Sequence, residues 1–584
     1  MMPDPINIAL LGNCTTDYLG RHLREQCEAY GLSAEIYNSP FNQYNQEVLS
    51  GQSGLYAGKP DLIILFLEGE LLFPGWYEFG TLQKSGSEKG ELVSEAAGRI
   101  SEAVHAIGSH TGAKIIINNF RVPYHSPLGI LDGKSAPGLK QMISELNSRL
   151  EKLADSGENT YIFDYNGLCA YYGHMRALDK RLLYSASSPL SIRFSQLLAA
   201  EYLRYILPLK SKNKKCLVLD LDNTLWGGVA GEDGISGVRL DLTGPGRSFY
   251  DFQREILNLY GRGILLAVNS RNNPEDALDI MENHPYMLLR AKHFSALRIN
   301  WRDKAVNMAE IAEELNVGLD SLVFFDDSPH ERENIRLSLP CVRVVDVPED
   351  SAKFAGALRD LAEFESLAIT KEDIHRNELV GSNKKREDIR KQFKEPGAYL
   401  ESLGTRITVG YASPFTFPRI VQLLHKTNQF NMTANRYQQP EIANMADSGH
   451  FTVLSCSASD RFGELGLIGV LIAAVEKDAA MIDSYLLSCR ALGRNIEFAF
   501  LYAAVGMLRR KGINRIRARY IRTGRNNANE DFYKNAGFIE EACGEREKLY
   551  FLPENADPVS PDYIEANINP QEADDGQRIP DTDR

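Results

Sequence analysis

The stretch Cys216-Leu-Val-Leu-Asp220-Leu-Asp222-Asn-Thr224 constrains this chain more than any other. An apolar run of strand length breaks off at a pair of carboxylates, with a threonine shortly after. Side chains at i and i+2 of a strand project to one side. Asp220 and Asp222 are therefore expected to face a phosphate and a Mg²⁺ together at the carboxyl end of the strand, where open α/β sheets bind ligands. One carboxylate at such a place can attack phosphorus while the other handles the leaving-group proton. The same pair also fits a helix N-cap beside a solvated neighbour.

Further elements follow in the order that a phosphoryl site requires. Gly263-Ile-Leu-Leu-Ala-Val-Asn-Ser270 reads as a second buried strand ending in a hydroxyl, which can hold a phosphoryl oxygen. Lys304 stands near the start of an amphipathic helix and can neutralise phosphate charge. Ser321-Leu-Val-Phe-Phe-Asp326-Asp327 is another apolar strand, ending in hard oxygen ligands of the kind Mg²⁺ prefers.

Together these segments resemble the motifs of the haloacid-dehalogenase (HAD) superfamily, subfamily IIIC. Trp226-Gly-Gly-Val-Ala-Gly-Glu-Asp-Gly is similar to the segment that follows the first motif in FkbH-like proteins. The resemblance implies Asp220 as nucleophile, Asp222 as acid/base, and Ser270 and Lys304 as phosphate ligands. It also implies a Mg²⁺ site, for which Asp220, Asp222, Asp326 and Asp327 are the expected metal residues. Between Trp226 and Val268 there is room for a flap and one helix but for no large cap, so the site is expected to be open.

At 584 residues the chain is long enough for about three or four domains. Its net charge of −13 argues against nucleic-acid or anionic-membrane partners. Met1-Met-Pro-Asp lacks the basic start of a signal peptide, and no apolar run reaches membrane length. The eight cysteines are scattered without a CxxC pair, so a cytoplasmic, reduced protein is expected.

The fold expected is a multidomain α/β chain. Residues 1–205 alternate strands and helices in the rhythm of a doubly wound parallel sheet. Gly12-Asn-Cys14-Thr there resembles a degenerate first block of the SGNH hydrolases, with Cys14 where the nucleophilic serine would stand. No histidine accompanies Ser188-Pro-Leu-Ser191, so this domain is expected to be non-catalytic. A HAD-like sheet is expected over 213–350, a charged helical connector over 351–400, an α+β domain over 401–553 and an acidic disordered tail over 554–584.

In the α+β domain, Arg490-Ala-Leu-Gly493-Arg494-Asn495 opens a long helix after a strand. Unpaired N–H groups at such a turn bind pyrophosphate. With the ending Phe532-Tyr-Lys-Asn-Ala-Gly-Phe538, the segment resembles the GNAT N-acetyltransferases. That likeness implies a site for coenzyme A or a carrier protein's phosphopantetheine at Arg490, Gly493, Arg494 and Asn495, where Asn495 replaces the usual Gly or Ala. Eight basic residues and no acidic one lie between Arg509 and Arg525, a face suited to an acidic partner.

Phe415–Asn431 also closely resembles FkbH-like proteins, so the likeness spans about 205 to 550. It implies a glyceryltransferase/phosphatase that takes the three-carbon acyl group of 1,3-bisphosphoglycerate and loads it, through an enzyme thiol, onto an acyl carrier protein for polyketide or related biosynthesis. Cys489, beside the Arg490 turn, is the expected thiol, while Cys216 sits within the first strand as a core residue. The alternatives are a free-standing Mg²⁺-dependent phosphatase and an acyl-CoA-dependent N-acyltransferase.

Overall fold

The computed structural model describes residues 5–135, 137–157, 159–374, 386, 389, 390, 393, 395–488, 491–544 and 546–569. The chain divides into two compact units, Met1–Lys210 and Ser211–Arg584.

The first unit is built on β1 (Ile6–Gly12), β2 (Ala34–Asn38), β3 (Leu62–Phe66), β4 (Lys114–Asn118) and β5 (Thr160–Phe163). They run parallel in the order β2-β1-β3-β4-β5. The strands are near-continuous runs of Ile, Leu and Phe because helices cover both faces of a parallel sheet. On one face, Leu11, Leu65 and Ile117 pack against Ile100 and Ile107 of the helix Gly86–His110 and Leu146 of the helix Leu139–Ser156. Cys14, just past β1, is 3% exposed, and burial together with the Glu68 charge pushes its thiol pKa well up, against thiolate formation.

The second unit contains two sheets. The first holds β6 (Cys216–Leu219), β7 (Leu265–Ser270), β8 (Ala296–Ile299), β9 (Leu322–Phe325) and β10 (Arg343–Val344), all parallel in the order β10-β9-β6-β7-β8. Between β6 and β7 the chain forms only the helices Ala230–Gly237 and Gly246–Gly261, and no separate cap. The core of this sheet runs past the expected limit at residue 350. Phe354 packs within 5.6 Å of Phe252 and 5.5 Å of Phe325, and Leu358, Leu361 and Phe364 join them. Reading 351–400 as one charged connector missed these apolar residues because the dense charge lies further on. Most of 375–394 falls outside the described residues.

The other sheet comprises β11 (Arg406–Tyr411), β12 (Phe451–Asp460), β13 (Gly463–Glu476), β14 (Ala479–Leu487), β15 (Arg515–Ile521), β16 (Ile539–Cys543), β17 (Glu547–Leu552) and β18 (Glu565–Asn569). Their order is β16-β17-β15-β14-β13-β12-β11-β18, with β14/β15 and β11/β18 parallel. The helix Ile496–Arg510 connects β14 to β15 and buries Ala499, Phe500, Ala503 and Leu508 against the sheet.

The expected disordered tail is corrected here as far as Asn569. Ile564 is buried and β18 pairs with β11, from Glu565 opposite Arg406 to Asn569 opposite Gly410. Tyr563, Ile564 and Ile568 supply apolar contacts that the acidic, proline-rich composition of the whole segment concealed.

Candidate active site

Parallel strands bring their carboxyl ends to one edge, and this geometry assembles the site. β6 ends at Leu219, so Asp220 emerges at its tip, and Asp326 and Asp327 emerge from the tip of β9, its hydrogen-bonded neighbour. Ser270 closes β7 on the other side of β6, beyond the Leu219–Val268 pair. The side chains of Asp220, Asp326 and Asp327 each offer an oxygen within 4.8 Å of the others.

Lys304 reaches this group from the start of the helix Lys304–Glu314, which Asp303 caps through the N–H groups of Ala305 and Val306. Its Nζ lies 2.7 Å from Asp220 Oδ1 and 2.6 Å from Asp326 Oδ2. Asn269 fixes the lysine from behind by donating to its carbonyl at 2.9 Å, and Asn307 holds Asn269 at 3.1 Å.

Burial disfavours the Lys304 ammonium, but the Asp220 and Asp326 carboxylates outweigh it and raise its pKa above the ordinary lysine value. Burial and then the Asp220 charge push Asp326 up to about 7, although Lys304 opposes the shift. Asp327 is raised by the same two causes. Three buried or half-buried carboxylates thus share one ammonium. Such a set of hard oxygen donors, short of positive charge, fits Mg²⁺.

The carboxylate of Asp222, which was expected among the metal residues, lies outside this group. β6 stops at Leu219, and Asn223 enters the left-handed region at φ 55°, so the i, i+2 rule of a continuing strand no longer holds. One Asp222 oxygen accepts from Trp226 Nε1 at 2.9 Å and from the Ala230 N–H at 3.0 Å. The other accepts from Asn272 Nδ2 at 2.9 Å. Burial, with Asp220 adding to it, still raises the Asp222 pKa above the usual aspartate range, as suits a proton donor.

Further residues shape the site: Thr224 belongs to the opening motif, whereas Arg332 and Asn272 carry no motif signature of their own. Buried Thr224 donates to Asp327 Oδ1 and accepts from the Asp327 N–H, both at 3.2 Å. Arg332 donates to the carbonyls of Asp326 and Asp327 at 2.7 and 2.8 Å, fixing the turn after β9. Asn272 follows Ser270 so closely that proximity to that motif was its only sequence signal.

In the last sheet, Cys489 and Arg490 lie outside the described residues. Gly493 and Asn495 both have positive φ, at 75° and 60°. Arg494 is buried, its guanidinium 3.5 Å from Asp460, which also pairs with Arg386 at 2.6 Å. Cys216 is fully buried in the HAD-like sheet, and burial alone raises its thiol far above the ordinary value.

The run Arg509–Arg525 is not an unopposed basic face. Arg515 pairs with Asp478, Arg517 with Glu541, Arg519 with Asp483, Arg522 with Glu530 and Arg509 with Asp557. Those acids come from elsewhere in the chain, so counting charge within the run overstated its field.

Residues 7–206 match the family model described as the FkbH N-terminal domain. The N-terminal part of the protein BF1531 from Bacteroides fragilis, which contains a phosphatase domain and was crystallised with Mg, is 28% identical. Its likeness covers 62% of this chain and 95% of that one, with a TM-score of 0.57. About a quarter of the chain is also similar to N-acetyltransferase structures. A GNAT-family acetyltransferase from Staphylococcus aureus is 12% identical, covers 25% of this chain and 98% of its own, and has a TM-score of 0.20. PaiA N-acetyltransferase from Thermoplasma acidophilum, in complex with coenzyme A, is 17% identical over 25% and 98%, with a TM-score of 0.19. No curated protein matches the chain. Among the described residues, no helix is long and apolar enough to cross a membrane.

Proposed function

We propose that this chain is a Mg²⁺-dependent phosphatase of the HAD type that is coupled to acyl transfer. The observation that carries the phosphatase part is the convergence of Asp220, Asp326, Asp327 and Lys304 at one sheet edge. The likeness to the phosphatase-containing part of BF1531 supports it.

With Lys304 on Asp220 Oδ1, the other carboxylate oxygen of Asp220 remains to attack phosphorus. The phosphorus–oxygen bond of the ester breaks as the bond to Asp220 forms, and the departing oxygen takes the proton of Asp222. Water then cleaves the aspartyl phosphate and gives its proton back to Asp222. Lys304 and the Ser270 hydroxyl hold phosphoryl oxygens in both steps. Mg²⁺ held by Asp220, Asp326 and Asp327 would supply charge neutralisation at the phosphate.

The substrate proposed is a phosphorylated three-carbon acyl donor, 1,3-bisphosphoglycerate. Cleavage at Asp220 would take its 3-phosphate ester and leave the acyl phosphate intact. The Cys489 thiolate would then attack the acyl carbon as the bond to the 1-phosphate breaks and inorganic phosphate leaves. The glyceryl thioester would pass to the phosphopantetheine thiol of an acyl carrier protein, returning the Cys489 thiol. What supports this finer reading is the resemblance of Phe415–Asn431 and of the Trp226 segment to FkbH-like proteins, together with the match of 7–206 to the FkbH N-terminal domain. An uncapped edge also suits a phosphate borne by a macromolecule, which keeps a plain phosphatase as the second reading. Incubating the protein with bisphosphoglycerate, Mg²⁺ and candidate carrier proteins, and weighing the carriers intact, separates the two. A glyceryl mass increment supports coupled transfer, whereas phosphate release without an increment on any carrier supports the plain phosphatase.

A further inference from the structure

β14 and β15 pair in parallel from Ala479 opposite Arg515 to Ile482 opposite Ala518, and then part. Asp483 is an extra residue in β14, since Ala473 faces Ile482 while Ile472 faces Ser484. A bulge of this kind bends the strand away from its neighbour. Main-chain groups past the divergence need partners. Such a split is a template for an extended ligand that carries amides, and the glycine turn beyond it leads into a helix N-terminus suited to a diphosphate. The two features together would accept the arm and diphosphate of coenzyme A.

The chain occupies both places itself. The Met432 N–H donates to the Tyr485 carbonyl at 3.0 Å, the Leu487 N–H to the Phe430 carbonyl at 3.1 Å, and the Ile521 N–H to the Met432 carbonyl at 2.7 Å. Residues 430–432 therefore bond to β14 on one side and to the end of β15 on the other. Their side chains are built into the core. Phe430, Asn431 and Met432 are at most 2% exposed, and the Phe430 ring sits 5.0 Å from Phe532 and 6.0 Å from Tyr485. Buried Asn526 donates to the Asn431 carbonyl at 2.8 Å.

At the turn, Arg494 is committed to Asp460, and Asn495 Nδ2 donates to the Tyr563 hydroxyl at 2.7 Å. The first helical turn also carries Glu497, whose Oε2 is buried without a hydrogen-bond partner.

We infer that Phe430–Met432 is a built-in strand of this sheet, and that it excludes the pantetheine arm of coenzyme A from the split between β14 and β15. The fold suggests a coenzyme A site at this place, and the residues present do not fit one. A phosphopantetheine arm that exchanges with Cys489 would have to approach it by a route other than this split. The inference rests on the backbone pairing of residues 430–432 and on the partners already taken at the turn, and it stands whether or not the phosphatase reading holds.

Hydrogen exchange on the full chain, read by mass spectrometry with residue-level fragmentation, tests it directly. The amides of Met432, Leu487 and Ile521 should exchange on the order of a thousandfold more slowly than free amides, like those of the neighbouring strands. Adding coenzyme A at millimolar concentration should leave them unchanged. Fast exchange of these amides in the free protein would overturn the inference, and so would a change confined to them on adding coenzyme A. A saturable calorimetric signal for coenzyme A that leaves the three amides protected would place the ligand elsewhere and support it. The Arg494→Glu variant is the second check: weakened coenzyme A binding together with altered exchange at Leu487 would locate the ligand at the turn and split, and would overturn the inference.

Discussion

Raising the pH of the metal-free protein from about 5 to about 8 should destabilise the HAD-like sheet, and Mg²⁺ should reverse the loss. Asp326 has a pKa near 7 in the folded chain against an ordinary value of 3.8, because burial and the Asp220 charge outweigh the pull of Lys304. An acid whose folded pKa is raised binds its proton more tightly when folded. Its contribution to stability is fully present below about 3.8 and is lost as the pH climbs toward and through about 7. At ~1.4 kcal/mol per pH unit, the part of that window above pH 5 amounts to ~3 kcal/mol. For a domain of this size that is roughly 6–12 °C in its thermal transition. Above pH 7 a bound Mg²⁺ takes over the role of the proton. Scanning calorimetry in chelator across this pH range, repeated with excess Mg²⁺, measures both effects. Asp326→Asn supplies the control, since an amide cannot ionise. The variant should lose this part of the pH dependence and gain much less from Mg²⁺ at pH 8. Parallel pH profiles for wild type and variant, or equal Mg²⁺ stabilisation of both, would refute the reasoning.

The other expectations concern catalysis and the last sheet. Asp220→Asn should cut phosphate release by ~10³-fold or more, since an amide does not replace the attacking carboxylate, and chelating Mg²⁺ should do the same. Steady-state phosphate release reads both. Asn272→Ala and Trp226→Phe each remove one donor from Asp222, and a hydrogen bond to a charged group is worth ~1.5–3 kcal/mol. Turnover should fall roughly 10–100-fold with little change in KM, and an equal rise in KM would assign these residues to substrate binding instead. Arg494→Ala should destabilise the last sheet by less than the ~3–5 kcal/mol typical of breaking a buried pair, because Arg386 still holds Asp460. Denaturant unfolding measures this, and an unchanged midpoint would show that the pairing of Arg494 with Asp460 adds nothing to stability.

Which parts were legible in the sequence follows from how local their causes are. Asp220, Ser270, Asp326 and Asp327 each end, or directly follow, an apolar run. In a parallel sheet every such end arrives at the same edge, so placing the strands correctly also places these residues. Lys304 was legible because its helix has its own start signal in Asp303. The Asp222 carboxylate stands apart from the other three because the i, i+2 rule assumes a strand that the chain abandons at Leu219. Nothing local announced that Asn272, fifty residues later, would hold its carboxylate.

The last sheet shows the opposite case. Its long helix and the strand before it were readable in the sequence, yet the fate of its ligand-like features depends on partners remote in sequence. Arg494 reads as a phosphate-binding arginine until Asp460 and Arg386 are brought beside it. The basic run reads as a docking face until Asp478, Asp483, Glu530 and Glu541 arrive from neighbouring segments. Phe430–Met432, which overlaps the end of the Phe415–Asn431 stretch that resembles FkbH-like proteins, spends its backbone on β14 and β15. A ligand site competes with the chain's own polar groups for the same hydrogen bonds, and buried groups left unpaired are costly. At the edge of the HAD-like sheet, the chain supplies one ammonium for three carboxylates and leaves room for a cation. In the split of the last sheet it supplies its own strand, and the demand for a ligand there is already met.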